Sequence, residues 1–220
     1  MDIERQIIQG NEFKVPSIIL KPINSIGAAV IVHGYGGCKE EQLGLAWRVA
    51  EIGITTCVID LRGHGEHELP LDENILLDVE TAIKYCHHFG KVVALGHSLG
   101  GRLSLLSDAD YIIGISPALN KTFSNQTQET LKALRSYRVR EINPNVNWDI
   151  LNKLPQWEYD GSGNVRIFFG SRDVPDIIST CSKLKEKGVP IIQIDKALHN
   201  DIFLLEETFD NIINQLKEWF

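Results

Sequence analysis

Six short apolar runs, rich in valine and isoleucine, punctuate the chain: AAVIVHG, TTCVIDLRG, VVALGHS, YIIGISP, VRIFFGS and PIIQID. None alternates polar with apolar positions. Continuous apolar runs of this length predict strands buried on both faces, as in a parallel sheet. Helical periodicity separates many of them. Leu43, Trp47 and Ala50 predict one helix face, with Gly53 as its stop and Glu40 and Glu41 suited to the positive end of its dipole. Ile75, Val79, Ile83 and Cys86 predict a second helix, closed by Gly90. Ile177, Cys181 and Leu184 predict a third, and Leu205, Phe209, Ile212 and Leu216 a C-terminal one. Strands alternating with helices imply βαβ units. The first twenty residues differ, reading as two strands around a Gly-Asn turn, hence an antiparallel edge hairpin. From residue 118 to about 160 the rhythm lapses into a polar stretch with two prolines and one helical piece near Gln128 to Arg140. So long an interruption predicts a small functional insertion.

The length of 220 residues fits a single domain, 1–220, with 118–160 as a small cap within it. A formal net charge of −7 disfavours a nucleic-acid partner. The opening residues MDIERQIIQG make a poor signal peptide, and no apolar run approaches the ~20 residues of a membrane span. Cys38, Cys57, Cys86 and Cys181 are scattered, with no CxxC pair. They read as small core side chains, and the expected location is cytoplasmic.

The stretch GHSLG brings in chemistry. Ser98 lies between a buried strand and a short helical piece, fenced by Gly96 and Gly100. That is the strand–turn–helix setting a G-x-S-x-G nucleophile requires. A turn this sharp crowds the strand against the helix, and glycines two residues away on each side relieve the crowding. The Leu99 N–H then opens the helix where an oxyanion would form. A serine hydroxyl needs a base. Of seven histidines only His199 follows Ser98, just beyond the last predicted strand and at the same sheet edge. A carboxylate should orient the imidazole. Asp173, after the VRIFFGS strand, is the first choice. Asp176, behind Pro175, suits helix capping, and Asp195 is the weaker candidate.

These motifs together resemble the α/β-hydrolase superfamily, of the serine esterase and lysophospholipase-like kind, from about Lys14 to the C-terminus. HGYGG (33–37) resembles its oxyanion loop, DLRGHGEH (60–67) its D-x-R-G-H-G stretch, and GHSLGG (96–101) its nucleophile elbow. GSRD and LHND resemble its acid and histidine loops, in the order Ser, Asp, His. The resemblance implies the α/β-hydrolase fold: a mostly parallel central sheet of about eight strands, an antiparallel N-terminal hairpin, and helices on both faces. It implies Ser98, Asp173 and His199 as the catalytic set, and the backbone N–H groups of Tyr35 and Leu99 as the oxyanion hole. His33 and His64 would be structural. The family often has glycine just before its histidine, where this chain has Ala197 and Leu198, and the cap is too short for a deep lipase-like lid.

The resulting expectation is a serine hydrolase acting on a small-molecule carboxylic ester or thioester, with no metal or organic cofactor. Alternatives are a non-catalytic ligand-binding protein on the same fold, and a peptidase or acyltransferase using the same residues. Asp60, His64 and His67 match no zinc spacing. Lys132, Arg135, Arg138 and Arg140 form a basic stripe, read as a solvated helix face in preference to an anion-binding one. Tyr35, Phe123, Trp148 and Trp157 are candidates to line an acyl pocket. Oligomeric state and acyl length are not legible.

Overall fold

A computed structural model describes residues 1–220. Eight strands form one sheet: β1 (Asp2–Gln9), β2 (Lys14–Lys21), β3 (Gly27–Val32), β4 (Ile54–Ile59), β5 (Val92–His97), β6 (Tyr111–Ile115), β7 (Val165–Arg172) and β8 (Ile191–Leu198). Their spatial order is β1-β2-β4-β3-β5-β6-β7-β8. β1 and β2 form the antiparallel hairpin, β2 runs antiparallel to β4, and every pairing from β4 to β8 is parallel. The expected architecture is therefore the observed one.

The apolar runs do not alternate because both faces of the sheet are covered. Val30, Ala94 and Ile112 point into one core, while their neighbours Ile31, Val93 and Ile113 point into the other. The first core is closed by α2 (Leu76–Cys86), α3 (Leu99–Leu105) and α6 (Pro175–Glu186), through side chains such as Val79, Leu103 and Ile177. The second is closed by α1 (Leu43–Glu51) and α7 (Glu206–Trp219), through Val49, Phe209 and Ile212.

Two local expectations need correction. On α1 the buried face is Leu45, Ala46, Val49 and Ala50, whereas Trp47 is exposed and its indole N–H donates to Glu51. The stretch between β6 and β7 holds two helices, not one: α4 (Asn125–Arg135) and α5 (Val146–Lys153). At eight residues, α5 is too short for its Val146, Ile150 and Leu151 to stand out as periodic, yet all three are buried.

Arg102 roots this inserted stretch. It is fully buried on α3 and has no carboxylate partner. Its guanidinium donates to the carbonyls of Leu119 (2.5 Å), Leu154 (3.4 Å) and Pro155 (2.6 Å), one side of the insertion and then the other. A second tie comes from α6. Asp176, expected only to cap its own helix, accepts from the hydroxyls of Ser124 (3.1 Å) and Thr127 (2.8 Å) at the start of α4.

Arg102→Met keeps the apolar stem but strips those carbonyls of their donor. Each buried carbonyl left unpaired costs ~1–3 kcal/mol. Leu119 and Leu154 are buried and Pro155 is exposed, so the expected loss is about 2–6 kcal/mol, seen as a lower urea midpoint, together with faster proteolysis within 120–160. Unchanged cleavage there would show that Arg102 does not hold the insertion.

Candidate active site

Four parallel strands, β3, β5, β7 and β8, end at one rim of the sheet, where an open α/β sheet binds ligands. Ser98 follows β5 and heads α3 with φ +54° and ψ −113°. This left-handed backbone is costly for a residue with a side chain. The surroundings enforce it. The Ser98 N–H donates to Ile115 O (2.9 Å), and its carbonyl accepts from Arg102 N and Ala118 N, both at 3.0 Å. A methyl group on Gly96 would strike the Gly100 carbonyl and lie 2.6 Å from Ser104 Oγ, and one on Gly100 would lie 2.5 Å from the His33 carbonyl oxygen. The glycines thus permit a contact that any side chain would prevent.

His199 directly follows β8, which extends three residues beyond its expected end at Asp195. Its Nε2 lies 3.0 Å from Ser98 Oγ and its Nδ1 2.8 Å from Asp173 Oδ1. With Nδ1–H donating to the carboxylate, Nε2 is left free to accept from the serine hydroxyl. Asp173 is buried. Its Oδ1 also accepts from Val174 N (2.7 Å), and its Oδ2 accepts from the Ser116 hydroxyl and from Gly170 N (3.4 Å). Burial pushes its pKa up, but the hydrogen bond and charge of His199, with Ser116 and Val174, outweigh this and hold it below the ordinary value. The carboxylate therefore stays ionised. Asp195 is exposed and bonds only locally, accepting from Ser171 Oγ (3.2 Å). Gly170 on β7 lets the chain before His199 approach closely, since an added methyl there would lie 2.8 Å from the Ala197 carbonyl carbon.

The loop after β3 brings Tyr35 to the same place. A methyl on Gly34 would sit 3.1 Å from Ser98 Cβ, so this loop abuts the serine. Gly37 N donates to Gly34 O (3.0 Å) and Gly36 N to His64 Nε2 (3.0 Å), while the intervening Tyr35 N–H finds no acceptor in the chain. Leu99 N–H, at the head of α3, belongs to the first turn, where amides lack intrahelical acceptors. Tyr35, Leu99, Ser98 and His199 all line one cavity of about 250 Å³.

Neutral histidines brace this loop. His64 Nε2 accepts from Gly36, so its Nδ1–H donates to Arg62 O (3.0 Å). His33 Nε2 accepts from Leu61 N (3.2 Å), so its Nδ1–H donates to Gly34 O (2.7 Å). Each ring bridges the 33–37 loop to the 60–65 loop, and each works only when neutral. Burial lowers the pKa of both, that of His64 to about 3. The 60–65 loop is itself held by buried charge. Asp60 accepts from Lys39 N (2.9 Å), Lys39 Nζ (2.6 Å) and Glu66 N (2.8 Å), and Arg62 pairs with Asp78 (2.8 Å) and Asp72 (2.7 Å). The DLRGHGEH motif is thus a brace for the amide-bearing loop.

Several residues at the site escaped sequence reading. Ser116 (φ +46°) ends β6 and donates to Asp173. His97, buried beneath Ser98, donates from Nε2 to the His199 carbonyl (2.8 Å), and burial lowers its pKa to about 3. The Tyr35 hydroxyl donates to Glu141. Only the serine after β6 carried any signal, as a polar residue ending an apolar run. Of the aromatic candidates, Tyr35, Phe123 and Trp148 line the cavity, while Trp157 packs beside Tyr159 instead. The basic stripe is not simply solvated. Lys132 donates to Asn145 (3.2 Å), Arg138 pairs with Glu41 (2.7 Å), and Arg140 donates to the carbonyls of His64 (3.2 Å), Gly65 (3.1 Å) and His67.

Residues 29–179 match the profile of the alpha/beta hydrolase family. An uncharacterized Salmonella typhi protein, YfhR, is 31% identical over 106 residues, 46% of this chain and 36% of YfhR. Ethanol acetyltransferase 1 of Wickerhamomyces anomalus is 28% identical over 113 residues, 49% of this chain and 29% of that protein. The matches therefore span about a third of the length of these curated relatives. Among solved structures, Est1E from Butyrivibrio proteoclasticus with ferulic acid bound superposes with a TM-score of 0.72 at 19% identity, covering 97% of both chains. That likeness shows the fold. No helix is long and apolar enough to cross a membrane.

The buried histidines set a pH dependence for stability. An unfolded chain protonates histidine below about pH 6.5, whereas folded His64 and His97 remain neutral to about pH 3. Their folded pKa values are depressed, so stability is full above pH 6.5 and falls as pH drops toward 3. Each contributes about 1.4 kcal/mol per pH unit within that window. Urea unfolding at pH 7.5, 6 and 5 should show the decline, with a shallower slope below pH 6 in His64→Asn. An equal slope in the two proteins would mean that His64 is already charged in the folded state.

Proposed function

We propose that this chain, which belongs to the alpha/beta hydrolase family, is a serine hydrolase that cleaves a carboxylic ester or thioester through an acyl-enzyme on Ser98. The observation that carries this reading is the unbroken chain of hydrogen bonds from Ser98 Oγ through His199 to Asp173, opening into a cavity. A pure binding site has no need for a serine held in a strained turn with an imidazole 3.0 Å from its oxygen.

In this mechanism His199 Nε2 takes the hydroxyl proton as Ser98 Oγ attacks the substrate carbonyl carbon. The charge that develops on the carbonyl oxygen is met by the N–H groups of Tyr35 and Leu99, which need no reorganisation. Asp173 holds the imidazole in the tautomer with a proton on Nδ1 and stabilises the cation that forms. As the tetrahedral intermediate collapses, the Nε2 proton passes to the departing alkoxide or thiolate. Water then attacks the acyl-enzyme, losing a proton to Nε2, and the second collapse returns that proton to Ser98 Oγ and frees the acid. The cavity of about 250 Å³ is small for a ligand pocket, and favours a compact substrate over a long acyl chain. The partial match to an ethanol acetyltransferase supports a second fate for the acyl-enzyme, capture by an alcohol in place of water.

Ser98→Ala is expected to lower kcat by on the order of 10⁵ to 10⁶ on a series of p-nitrophenyl esters. It should also abolish labelling by a fluorophosphonate. Adding ethanol to the wild-type assay measures how the acyl group divides between water and alcohol. Near-wild-type turnover in Ser98→Ala would remove the serine mechanism altogether.

A further inference from the structure

Arg135 is the member of the basic stripe that faces the cavity. It closes α4, and its backbone lies on the loop that carries the Tyr35 amide. A methyl on Gly36 would be 2.6 Å from Arg135 Cβ and 3.0 Å from its carbonyl oxygen, and Gly36 itself has φ +70°. The side chain therefore starts directly above the loop beside Ser98. It lines both the cavity of about 250 Å³ and a smaller one of about 20 Å³, and the two share Ser98 and His199.

The charges around this guanidinium are unevenly matched. Lys132, Arg138 and Arg140 have close partners, as described above. Arg135 has only Glu41, at 4.0 Å, and Glu41 lies far closer to Arg138, at 2.7 Å. The Glu141 carboxylate is taken by the Tyr35 hydroxyl, and that of Asp173 by His199, Ser116 and backbone N–H groups. No carboxylate lines the larger cavity, and Arg135 is its one permanent charge. A chain of net charge −7 thus keeps an incompletely paired, three-quarters-buried arginine beside its reactive serine.

We propose that Arg135 is a specificity-determining residue that binds a carboxylate on the substrate, so that the preferred substrates are compact esters carrying a free carboxylate near the scissile group. This rests on the hydrolase reading for turnover, though the binding of the anion does not. A planar guanidinium with open donors matches a carboxylate in two parallel hydrogen bonds. In a partly enclosed recess, with the arginine three-quarters buried, such a pair is stronger than on the open surface. Because the carboxylate does not change charge during the reaction and is held alike in the bound substrate and the transition state, its contribution falls mainly on KM. Glu41 opposes it, competing for the same cation from the rim of the smaller cavity.

The test compares matched pairs of esters. Ethyl hydrogen adipate against ethyl hexanoate places the charge on the acyl side, and 3-acetoxybenzoate against phenyl acetate places it on the alcohol side. In at least one pair, Arg135→Gln should lower the anionic-to-neutral ratio of kcat/KM roughly ten- to a hundred-fold, mostly through KM. Arg135→Lys should recover part of the ratio, and Glu41→Gln should raise it. A residue that only holds α4 in place would lower both members of a pair together and leave the ratio alone. An unchanged ratio in both pairs overturns the proposal. A second readout separates its failure from failure of the hydrolase reading: titration of Ser98→Ala with glutarate by calorimetry, against Ser98→Ala/Arg135→Gln. If wild-type protein cleaves no ester, Arg135-dependent glutarate binding still supports the anion site, and binding that is absent or indifferent to Arg135 overturns it.

Discussion

Backbone contact between helix α3 and the strand ends beneath it is the constraint on which the site depends. Side chains at 96 and 100 would hold the helix away from β3 and β5. The turn at Ser98 could then relax out of its left-handed conformation, and the hydroxyl would swing away from the rim. With glycine at both places the carbonyls of residues 33 and 100 press against bare Cα atoms. The cost of a strained serine is thereby carried by packing across the whole central sheet. Strain of this kind stays in one place only if the surroundings leave no alternative. Here the Ser98 carbonyl is already committed to two amides, from α3 and from the chain after β6.

The other half of the site depends on histidines that do not carry charge. His33 and His64 hold the 33–37 loop by accepting an amide hydrogen on one ring nitrogen and donating from the other. A lysine could only donate, and a glutamine amide, which can do both, hangs on a longer and more flexible stem. His97 does a similar service for the backbone of His199. Burial thus keeps three imidazoles neutral, two holding the 33–37 loop and one the backbone of a fourth, His199, which is largely buried and hydrogen-bonded to the serine. The difference between them is one of environment, not of residue type.

Much of this was legible in the chain itself. The runs ending at His33, Ser98 and Ser171 mark strand ends because parallel strands buried on both faces must be uniformly apolar until they emerge. The glycines around Ser98 and the order of Ser98, Asp173 and His199 then indicated which of seven histidines to consider. What stayed hidden depends on distant pairings. Nothing near Ser116 reports that its hydroxyl meets Asp173, 57 positions later. Nothing near Arg102 announces three carbonyls from beyond the next strand. Helix α5 was missed because eight residues hold too few turns for a period to emerge, and the face of α1 was misread because alanine leaves little trace in an apolar pattern. For the stripe from Lys132 to Arg140, sequence spacing suggested one helix side, but α4 ends at Arg135 and the spacing could not give the partners.

The anchoring of residues 119, 154 and 155 to one arginine has a bearing on how such a protein diversifies. The stretch between those positions supplies no member of the hydrogen-bond chain from Ser98 to Asp173, though Arg138, Arg140 and Glu141 also tie it to the loops beside the site. Segments of other lengths could replace the intervening stretch while the roots stay docked on α3. Under the proposed function, substrate range and bond-breaking power would then be separable inheritances, the first written in an exchangeable span and the second in the sheet that bears it.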